Sequence, residues 1–378
     1  MRILHLAYED PSQPGSGGGS VRTLEINKRL AERHEITALV AAYPGSSRRT
    51  EYGINWIPLG TRTGTKLDRL SYFSLLGPAI RRHPHDLVVE DFSAPFSVGF
   101  APLFTSKPVV ASVQWLFADK MREKYHLPFD LVEHYGLKLY SDFITVSDWL
   151  GQKVLKQRPL ANVETIYNGI EPLAFTLENQ KPAHFLFVGR LDIEQKGVDL
   201  LLESYAIARA EATAPFPPLA IVGDGPDRGL LEQKVLDLNL GEAVYFHGRI
   251  NGREKYEMMA KSFAVVMPSR HETFGLVAVE TLAVGVPLIT YEVGPLAEVV
   301  GDTDTFLIPP FDTRAFARAM LKTVDLAENP ASLSAGRRDF ARQYDWDTIA
   351  ARQEAHYMKS VRGTEPYLRV LAGGKNRI

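Results

Sequence analysis

Strand-forming and helix-forming segments alternate along this chain of 378 residues, and the alternating series occurs twice. The first series begins with the apolar segment 2–8 and ends near residue 146, and the second runs from 184 to about 290. Strands joined by helices form right-handed βαβ units, whose parallel sheet is covered by helices on both faces. The chain is also too long for one ordinary hydrophobic core. We therefore predict an α/β protein with two domains, each built on a parallel sheet.

Glycine and proline locate the boundary between these domains. Gly169, Pro172 and Pro182 interrupt the alternation of strands and helices, and such residues favour linkers over regular elements. We predict a first domain over residues 1–168, a linker over 169–181 and a second domain over 182–345. The remaining residues, 346–378, are predicted to form a closing helix and a basic tail that pack back on the first domain.

The composition excludes several classes of protein. The formal net charge is only -2 and both signs of charge are present, so we expect no nucleic-acid partner. The chain has no cysteine, which excludes disulfides and zinc–thiolate sites. No apolar run approaches the roughly 20 residues that span a bilayer. The first residues are typical of a strand rather than a signal peptide, so we expect a cytoplasmic protein.

The segment 271–280 places two carboxylates, Glu272 and Glu280, eight positions apart. It follows a predicted buried strand at 263–267, and Gly275 is predicted to open a helix. The first N–H groups of such a helix lack intrahelical acceptors and favour anions. Because a helix rises about 1.5 Å per residue, the two carboxylates cannot act on one atom. They are placed to hold two ends of one extended ligand.

A glycine-rich loop at 15–19 lies between the first predicted strand and the first predicted helix. Glycines there let backbone N–H groups approach a phosphate or a sugar, which makes Gly17, Gly18 and Gly19 candidate ligand contacts. The dinucleotide fingerprint G-x-G-x-x-G does not fit, because position 20 is serine. The alternative is a flexible surface turn that binds nothing.

Two further loops follow strands of the second domain, at the edge where open α/β sheets bind ligands. After Gly189, the first loop carries Arg190 and Lys196. Arginine can bind two phosphate oxygens at once, and lysine supplies a point charge. The alternative is a solvated loop whose charges pair with one another. The second loop, with Gly223 and Asp224, has turn chemistry and is predicted to form a wall of the same site.

Together these motifs resemble those of the retaining glycosyltransferases of family 4, the group 1 glycosyltransferases with the GT-B architecture. The resemblance rests on Gly-Arg-Leu-x4-Lys-Gly at 189–197, Val-Gly-Asp-Gly-Pro at 222–226 and Pro-Ser-x2-Glu-x2-Gly-Leu at 268–276. A weaker match is Tyr-Asn-Gly-Ile at 167–170. The resemblance covers essentially the whole chain. It implies two Rossmann-like β/α/β domains that face each other across a cleft.

The resemblance also implies a site for a nucleotide-diphosphate sugar, held mainly by the second domain. Arg190 and Lys196 would neutralise the diphosphate. Glu280 would accept hydrogen bonds from the ribose hydroxyls, and Glu272 would hold the donor sugar. The glycine loop of the first domain would close over the donor. The other residues expected at the donor are Gly17, Gly18, Gly19, Gly189, Gly223, Asp224, His271, Thr273, Phe274, Gly275 and Leu276.

One position departs from the family pattern. Family members often carry a histidine after the strand that corresponds to 109–113, whereas this chain has Gln114. Glutamine keeps a hydrogen-bond donor and an acceptor but cannot act as an acid or a base. We group Gln114 with Arg190, Lys196 and Glu272 as the predicted catalytic residues. A shifted alignment, with another residue in this role, is the alternative.

We predict neither a metal nor another cofactor. Two cations and a helix N-terminus can stabilise a departing diphosphate without a metal. Two segments, 302–304 and 345–347, have the D-x-D form that some transferases use to bind metal ions. We assign both to structure, because the first lies in a predicted loop and Asp345 is placed to cap a helix.

The expected reaction is transfer of a hexose, with retention, from UDP-hexose first or GDP-mannose second to a hydroxyl acceptor. The acceptor would be a saccharide, a glycolipid or a natural product, as in polysaccharide or glycoconjugate biosynthesis. The alternatives are a catalytically silent nucleotide-sugar-binding partner of another transferase and a sugar-nucleotide epimerase of the same architecture. The basic, apolar stretch 62–85 could contact the inner face of an anionic membrane. An ordinary domain helix with a solvated basic face is the reading that we favour.

Overall fold

The computed structural model describes residues 1–13, 16–92, 99–118, 122–123, 126–326 and 331–373. These residues form two compact units. The first unit comprises Met1–Asn168 and the chain from Trp346 onward, and the second comprises Gly169–Asp345. The segment predicted as a linker, 169–181, is part of the second unit. It contains a 3-10 helix at Pro172–Thr176, and the N–H of Gln180 donates to the carbonyl of Ala260 at 3.0 Å.

A largely parallel sheet forms the centre of the first unit. Its strands are β1 (Arg2–Tyr8), β2 (Glu35–Ala41), β3 (Arg49–Glu51), β4 (Ile54–Leu59), β5 (Leu87–Phe92), β6 (Val109–Val113), β7 (Asp142–Thr145) and β8 (Asn162–Thr165). They lie in the order β3-β4-β2-β1-β5-β6-β7-β8. Only the short β3 is antiparallel to its neighbour. The chain adds β2 to β4 on one side of β1 and β5 to β8 on the other, so the strand order reverses between β1 and β5.

Helices cover both faces of this sheet. They are α1 (Gly18–Leu30), α2 (Lys66–Arg82), α3 (Phe129–Leu137) and α4 (Asp148–Gln157), with a 3-10 helix at Ala101–Leu103. Successive residues of β1 face opposite sides, as expected for a strand. Ile3 packs in the core that includes Ile26 and Leu30 of α1. Leu4 packs in the opposite core with Tyr72 and other residues of α2.

The second unit is built on a six-stranded sheet. Its strands are β9 (His184–Val188), β10 (Leu219–Val222), β11 (Val244–Gly248), β12 (Ser262–Met267), β13 (Leu288–Tyr291) and β14 (Phe306–Ile308). The strand order is β11-β10-β9-β12-β13-β14, and every pairing is parallel. This is the doubly wound Rossmann order, in which ligands bind at the carboxyl ends of the strands where the order reverses. That point lies between β9 and β12.

The second unit is also covered by helices. They are α5 (Ile193–Lys196), α6 (Val198–Glu211), α7 (Arg228–Asp237), α8 (Gly252–Ala260), α9 (Leu276–Val284), α10 (Leu296–Val300), α11 (Thr313–Leu326) and α12 (Ala331–Ala341). A 3-10 helix at Arg342–Tyr344 ends the unit. The core between the sheet and the helices includes Phe185 of β9, Leu201 of α6 and Met320 of α11, each without solvent exposure.

The last helix, α13 (Trp346–Gly373), belongs to the first unit. Its residues Trp346, Ile349 and Tyr357 are buried in the same core as α1. The basic tail beyond residue 373 lies outside the described residues. No helix in the described part of the chain has both the length and the apolar character needed to cross a membrane.

Candidate functional site

The loops after β9 and β10 interlock at the carboxyl edge of the second sheet. The N–H of Gly223 donates to the carbonyl of Gly248 at 2.7 Å, and the N–H of Leu191 donates to the carbonyl of Asp224 at 3.1 Å. Gly223 has a φ of +144°, and a Cβ there would lie 1.8 Å from the carbonyl oxygen of Gly189. Only glycine fits at this position, and its lack of a side chain lets the backbones of the two loops pack directly against each other. Asp224 itself is exposed.

A single turn of helix, α5, positions Lys196. The side chain of Asp192 caps this turn by accepting the N–H of Gln195 at 3.0 Å. Gly197 ends it with a φ of +62°. A Cβ on Gly197 would lie 2.2 Å from the carbonyl oxygen of Pro268. The missing side chain therefore lets the loop after β12 pack directly against α5.

Arg270, which was not among the predicted site residues, joins the same two loops. Its guanidinium binds both carboxylate oxygens of Asp199, at 2.7 and 2.8 Å, and donates to the carbonyl of Ile193 at 2.7 Å. The backbone N–H groups of Arg270 and His271 both donate to the carbonyl of Gln195. An Arg–Asp pair 71 positions apart in the chain leaves no short-range pattern from which it could have been predicted.

Lys196 and Glu272 form an ion pair. The ammonium of Lys196 lies 2.6 Å from Oε1 of Glu272, and the hydroxyl of Ser269 donates to the same oxygen at 2.8 Å. Glu272 is only 7% exposed. A buried carboxylate is costly unless it is paired and hydrogen-bonded, which explains the arrangement. The two groups were predicted to make separate ligand contacts, whereas in the structure each is the partner of the other.

Arg190 has a different environment. It directly follows the loop glycine Gly189, and its side chain is exposed. Among the described residues, none forms a hydrogen bond or an ion pair with its guanidinium. Arg190 is therefore a cation whose donors are available to an anionic ligand at the carboxyl edge of the sheet.

Helix α9 begins at the same edge. Its N-cap is Gly275, with a φ of +93° and no capping side chain. Within the described part of the chain, the N–H groups of Leu276 and Val277 have no acceptor. Free N–H groups and the helix dipole at such an end favour an anion. Phe274 is buried beside Tyr344, with ring centroids 5.8 Å apart, so its side chain supports the loop.

Glu280 lies in the middle of α9. Its Oε1 accepts from the ammonium of Lys255 at 2.8 Å and from the hydroxyl of Tyr256 at 3.2 Å. Both partners belong to α8. Glu280 was predicted as a site residue, but neither of its two partners was.

The first unit offers a smaller set of candidate residues at the reversal beside β1. Gly17 caps α1 without a side-chain hydrogen bond, and its N–H donates to the carboxylate of Glu9 at 3.2 Å. Gly18 is exposed. Gln114 follows β6, and a Cβ on Gly19 would lie 2.9 Å from its amide oxygen. Thus Gly19 and Gln114 are neighbours. Gly15, at the start of the loop, lies outside the described residues.

Two buried carboxylates near the end of β5 were also missed. Burial raises the pKa of Glu90 to about 7, although the hydroxyl of Tyr140 donates to it at 2.5 Å. Burial also opposes ionisation of Asp91, but His5 and the hydroxyl of Thr23 lower the pKa of Asp91 below its ordinary value. Two acidic residues in an otherwise apolar strand were the sequence pattern that could have identified them. Both are fully engaged with protein groups and serve the structure of this edge.

The two D-x-D segments are engaged in ion pairs. The guanidinium of Arg337 binds Asp304 through Nε at 2.7 Å, and that of Arg29 binds Asp347 at 2.5 Å. Across the described residues, no group of three or more histidine or acidic side chains is arranged to hold a metal ion. Metal independence itself stays a prediction.

Comparison with known families covers both units. Residues 16–172 match the model of Glycosyltransferase Family 4, and residues 173–339 match that of Glycosyl transferases group 1. The chain belongs to the group 1, family 4 type of GT-B glycosyltransferases. The sequence-based prediction of the family and of two Rossmann-like parallel sheets is therefore confirmed.

Individual proteins of known identity resemble the chain only in part or only in fold. A glycogen synthase from Mycobacterium tuberculosis is 32% identical over 213 residues, which are 54% of this chain and 50% of that protein. The chain therefore matches about half the length of this curated relative. Sucrose-phosphate synthase from Thermosynechococcus elongatus has the same fold, with a TM-score of 0.79, 20% identity, and coverage of 95% and 98% of the two chains.

A further fold neighbour is HepE from Anabaena, whose structure was solved in complex with UDP-glucose. It aligns with a TM-score of 0.72 and 19% identity, covering 95% of this chain and 100% of HepE. The family membership fixes no individual site residue. The site residues predicted above stay predictions, although the structure brings Gly189, Arg190, Lys196, Glu272 and Gly275 to one edge of the second sheet.

Proposed function

We propose that this family member transfers a hexose from a nucleotide-diphosphate sugar to a hydroxyl acceptor. The observation that supports the proposal is a candidate anion site, a group of suitable donors at the reversal between β9 and β12. Three features follow neighbouring strands there: the Lys196–Glu272 ion pair, and the guanidinium of Arg190 and first N–H groups of α9, for which the described residues provide no partner.

The same groups suit the chemistry of the donor. Breaking the bond between the anomeric carbon and the phosphate leaves negative charge on the diphosphate and positive charge on the sugar. Arg190 and the N-terminus of α9, fixed before the reaction, would stabilise the departing diphosphate. Lys196 would join them when the incoming phosphate competes with Glu272 for its ammonium. Glu272 would then be left beside the sugar, where a carboxylate can accept hydroxyl hydrogen bonds.

We expect UDP-hexose as the donor, with GDP-mannose second. The fold shared with HepE, which was solved in complex with UDP-glucose, supports a uridine nucleotide. No described contact in this chain reads the base. Retention follows from the family resemblance, and we propose that the departing diphosphate assists the incoming hydroxyl on the same face of the sugar. A covalent glycosyl-enzyme trapped on Glu272 would contradict this path.

Acceptor and location stay predictions. A saccharide, glycolipid or natural product would each fit a hydroxyl acceptor, and the glycogen synthase relative favours a saccharide. Leu67 and Leu70 on α2 are 61% and 58% exposed, and Arg81 and Arg82 at its end are exposed as well. An ordinary solvated helix remains the reading that we favour. Sedimentation with anionic vesicles at low salt tests contact with a cytoplasmic membrane face, and an absence of binding removes it.

Slow hydrolysis of the donor without acceptor tests the proposal. We expect the chain to release nucleoside diphosphate from UDP-glucose or GDP-mannose, also in the presence of EDTA. Arg190→Ala should reduce turnover by about 100-fold or more, because a donor to developing charge is lost. Arg209→Ala removes an exposed arginine at the end of α6 and serves as the control. A silent binding partner would bind the nucleotide without releasing product, and an epimerase would return a sugar of altered configuration.

A further inference from the structure

The carboxylate of Glu280 is held from one side only. Its Oε1 receives both the ammonium of Lys255 and the hydroxyl of Tyr256. In the described part of the chain, no protein group donates to its other oxygen, Oε2. The side chain of Glu280 is nevertheless only 14% exposed. One oxygen is thus fixed by protein, and the other has room for hydrogen-bond donors from a ligand.

Lys255 and Tyr256 are themselves held in place. Tyr256 is fully buried, and the ammonium of Lys255 lies 4.3 Å from the centroid of its ring, a cation–π contact. Burial and then the neighbouring carboxylates Glu280 and Glu171 raise the pKa of Tyr256 above its ordinary value. The phenol therefore keeps its proton and remains a hydrogen-bond donor. Three side chains on two helices form one rigid group.

The charge of this group also fits a diphosphate ligand. Glu280 lies on the helix whose N-terminus contributes to the anion site. An unpaired carboxylate there would repel a diphosphate, since like charges in a partly buried site interact strongly. The ammonium of Lys255 neutralises that carboxylate. Glu280 can then accept hydrogen bonds from neutral hydroxyls without opposing the binding of phosphate.

We propose that Lys255 and Tyr256 are positioning residues that aim the free oxygen of Glu280 at the ribose diol of the nucleotide and so make the enzyme selective for ribonucleotides over deoxyribonucleotides. The inference rests on the proposed function, since it assumes a nucleoside diphosphate at this edge. It adds a cause of selectivity that Glu280 alone does not supply. A carboxylate free to rotate would lose this orientation.

Binding of UDP, 2′-deoxy-UDP and 3′-deoxy-UDP by isothermal calorimetry tests the proposal. If GDP binds more tightly than UDP, GDP and its 2′-deoxy and 3′-deoxy forms are compared instead. We expect the wild type to prefer UDP over at least one deoxy form by about 10-fold or more, because a hydrogen bond to a charged group is lost. In Lys255→Met and in Tyr256→Phe, this preference should fall to about threefold or less, mainly because UDP binds more weakly.

The controls use the same helix and the same chemistry. Arg253→Met breaks the Arg253–Glu257 pair at the surface of α8 and should leave the preference for the ribose unchanged. Lys255→Arg keeps a cation beside Glu280 and should restore part of it. Melting temperatures show whether each variant is folded, and the ratio of UDP to deoxy-UDP affinity does not depend on how much of the protein is active.

The outcomes separate the two proposals. If the wild type binds none of the nucleoside diphosphates, the proposed function fails. If the wild type binds UDP and discriminates, but both variants at Lys255 and Tyr256 discriminate equally well, the function stands and the positioning role is wrong. A wild type that binds UDP and its deoxy forms equally also overturns the positioning role.

Discussion

Lys196 and Glu272 belong to the candidate anion site, yet the charges of the ammonium and the carboxylate neutralise each other. A diphosphate that binds here, as we propose, would therefore have to compete with Glu272 for the ammonium of Lys196. Arg190 lacks a described partner and needs no such exchange. In the proposed function the two cations would therefore have different tasks. Arg190 would meet the phosphate first, and Lys196 would become available only when Glu272 accepts hydrogen bonds from the sugar.

Lys196→Met should affect both turnover and stability. We expect turnover to fall by about 100-fold or more, because a cation at the leaving group is lost. The free energy of unfolding should fall by about 1–3 kcal/mol, because the buried carboxylate of Glu272 loses its cation and keeps only the hydrogen bond from Ser269. Donor hydrolysis and urea unfolding measure the two effects.

Matched variants separate these effects. Lys234→Met breaks a more exposed Lys–Glu pair, with Glu203, and should cost less than about 1 kcal/mol. The double variant Lys196→Met with Glu272→Gln should recover stability without recovering turnover. A Lys196→Met protein with normal turnover would show that the anion site is elsewhere.

Among the elements, α13 is attached to the sheet of the first unit by charge as well as by apolar contact. His356 is buried, with Nδ1 2.8 Å from Glu164 of β8 and Nε2 2.9 Å from Asp142 of β7. The second distance is an ionic contact, because its angle does not satisfy hydrogen-bond geometry. Burial alone would lower the pKa of His356, but Asp142 and Glu164 together raise it above its ordinary value.

The pH dependence of this attachment follows. A raised histidine pKa stabilises the folded state fully below about pH 6.5, the value for an unfolded histidine, and the effect is lost as pH rises through the folded pKa. The pKa of Asp142 is lowered, so its contribution is lost only in acid. The difference in melting temperature between wild type and His356→Gln should therefore be largest at about pH 5–6 and shrink by about pH 9. His134→Gln, at an exposed histidine, should show no such trend. A melting-temperature difference for His356→Gln that does not change with pH would show that the charge of His356 does not stabilise the attachment.

The elements that the sequence revealed are those with a strong pattern. Strands β9 and β12 are apolar and largely buried. Strands β1 and β12 lie within one residue of the predicted segments 2–8 and 263–267. The elements that were missed lie beyond the predicted ends of the two series, near residues 146 and 290, and include α4, β8, α10 and β14. Strand β8 consists of Asn162–Thr165 and has no fully buried residue, and β14 has only three residues. Such short or polar segments become strands because a neighbouring strand pairs with them, which no local pattern reports.

The candidate site shows the same division. Glycines and charges within one loop, such as Gly189 with Arg190, were evident from spacing. Partners that come from distant segments, such as Arg270 with Asp199 or Lys255 with Glu280, depend on the packing of helices and loops. Spacing along the chain indicates which loops carry the chemistry. It does not indicate which charges are already paired when the ligand arrives.

The first unit is discontinuous along the sequence, because α13 completes it after the chain has formed the second unit. Trp346, Ile349 and Tyr357 are buried in that unit. Each large apolar side chain contributes about 1.5–3 kcal/mol when buried, as an upper estimate. Together they approach the 5–15 kcal/mol or so that stabilises an ordinary domain. A chain ending at residue 345 should therefore fail to fold its first unit while it keeps its second.

Hydrogen exchange read by mass spectrometry would report on the two units separately. We expect loss of protection in β1, β2 and α1 of the chain that ends at 345, and retained protection in β9 and β12. A chain ending at 363 keeps all three buried residues of α13 and is the control. Normal protection of β1 in the shorter chain would show that the first unit is stable by itself.

The order of the chain has a consequence for biosynthesis. The ribosome releases the strands of the first unit early, but Trp346 emerges only after all of Gly169–Asp345. The second unit can thus complete its core while the first still exposes apolar surface around Ile3 and Ile26. A nascent chain stalled before α13 would be a substrate for chaperones, and its earliest-made half would be the last to mature.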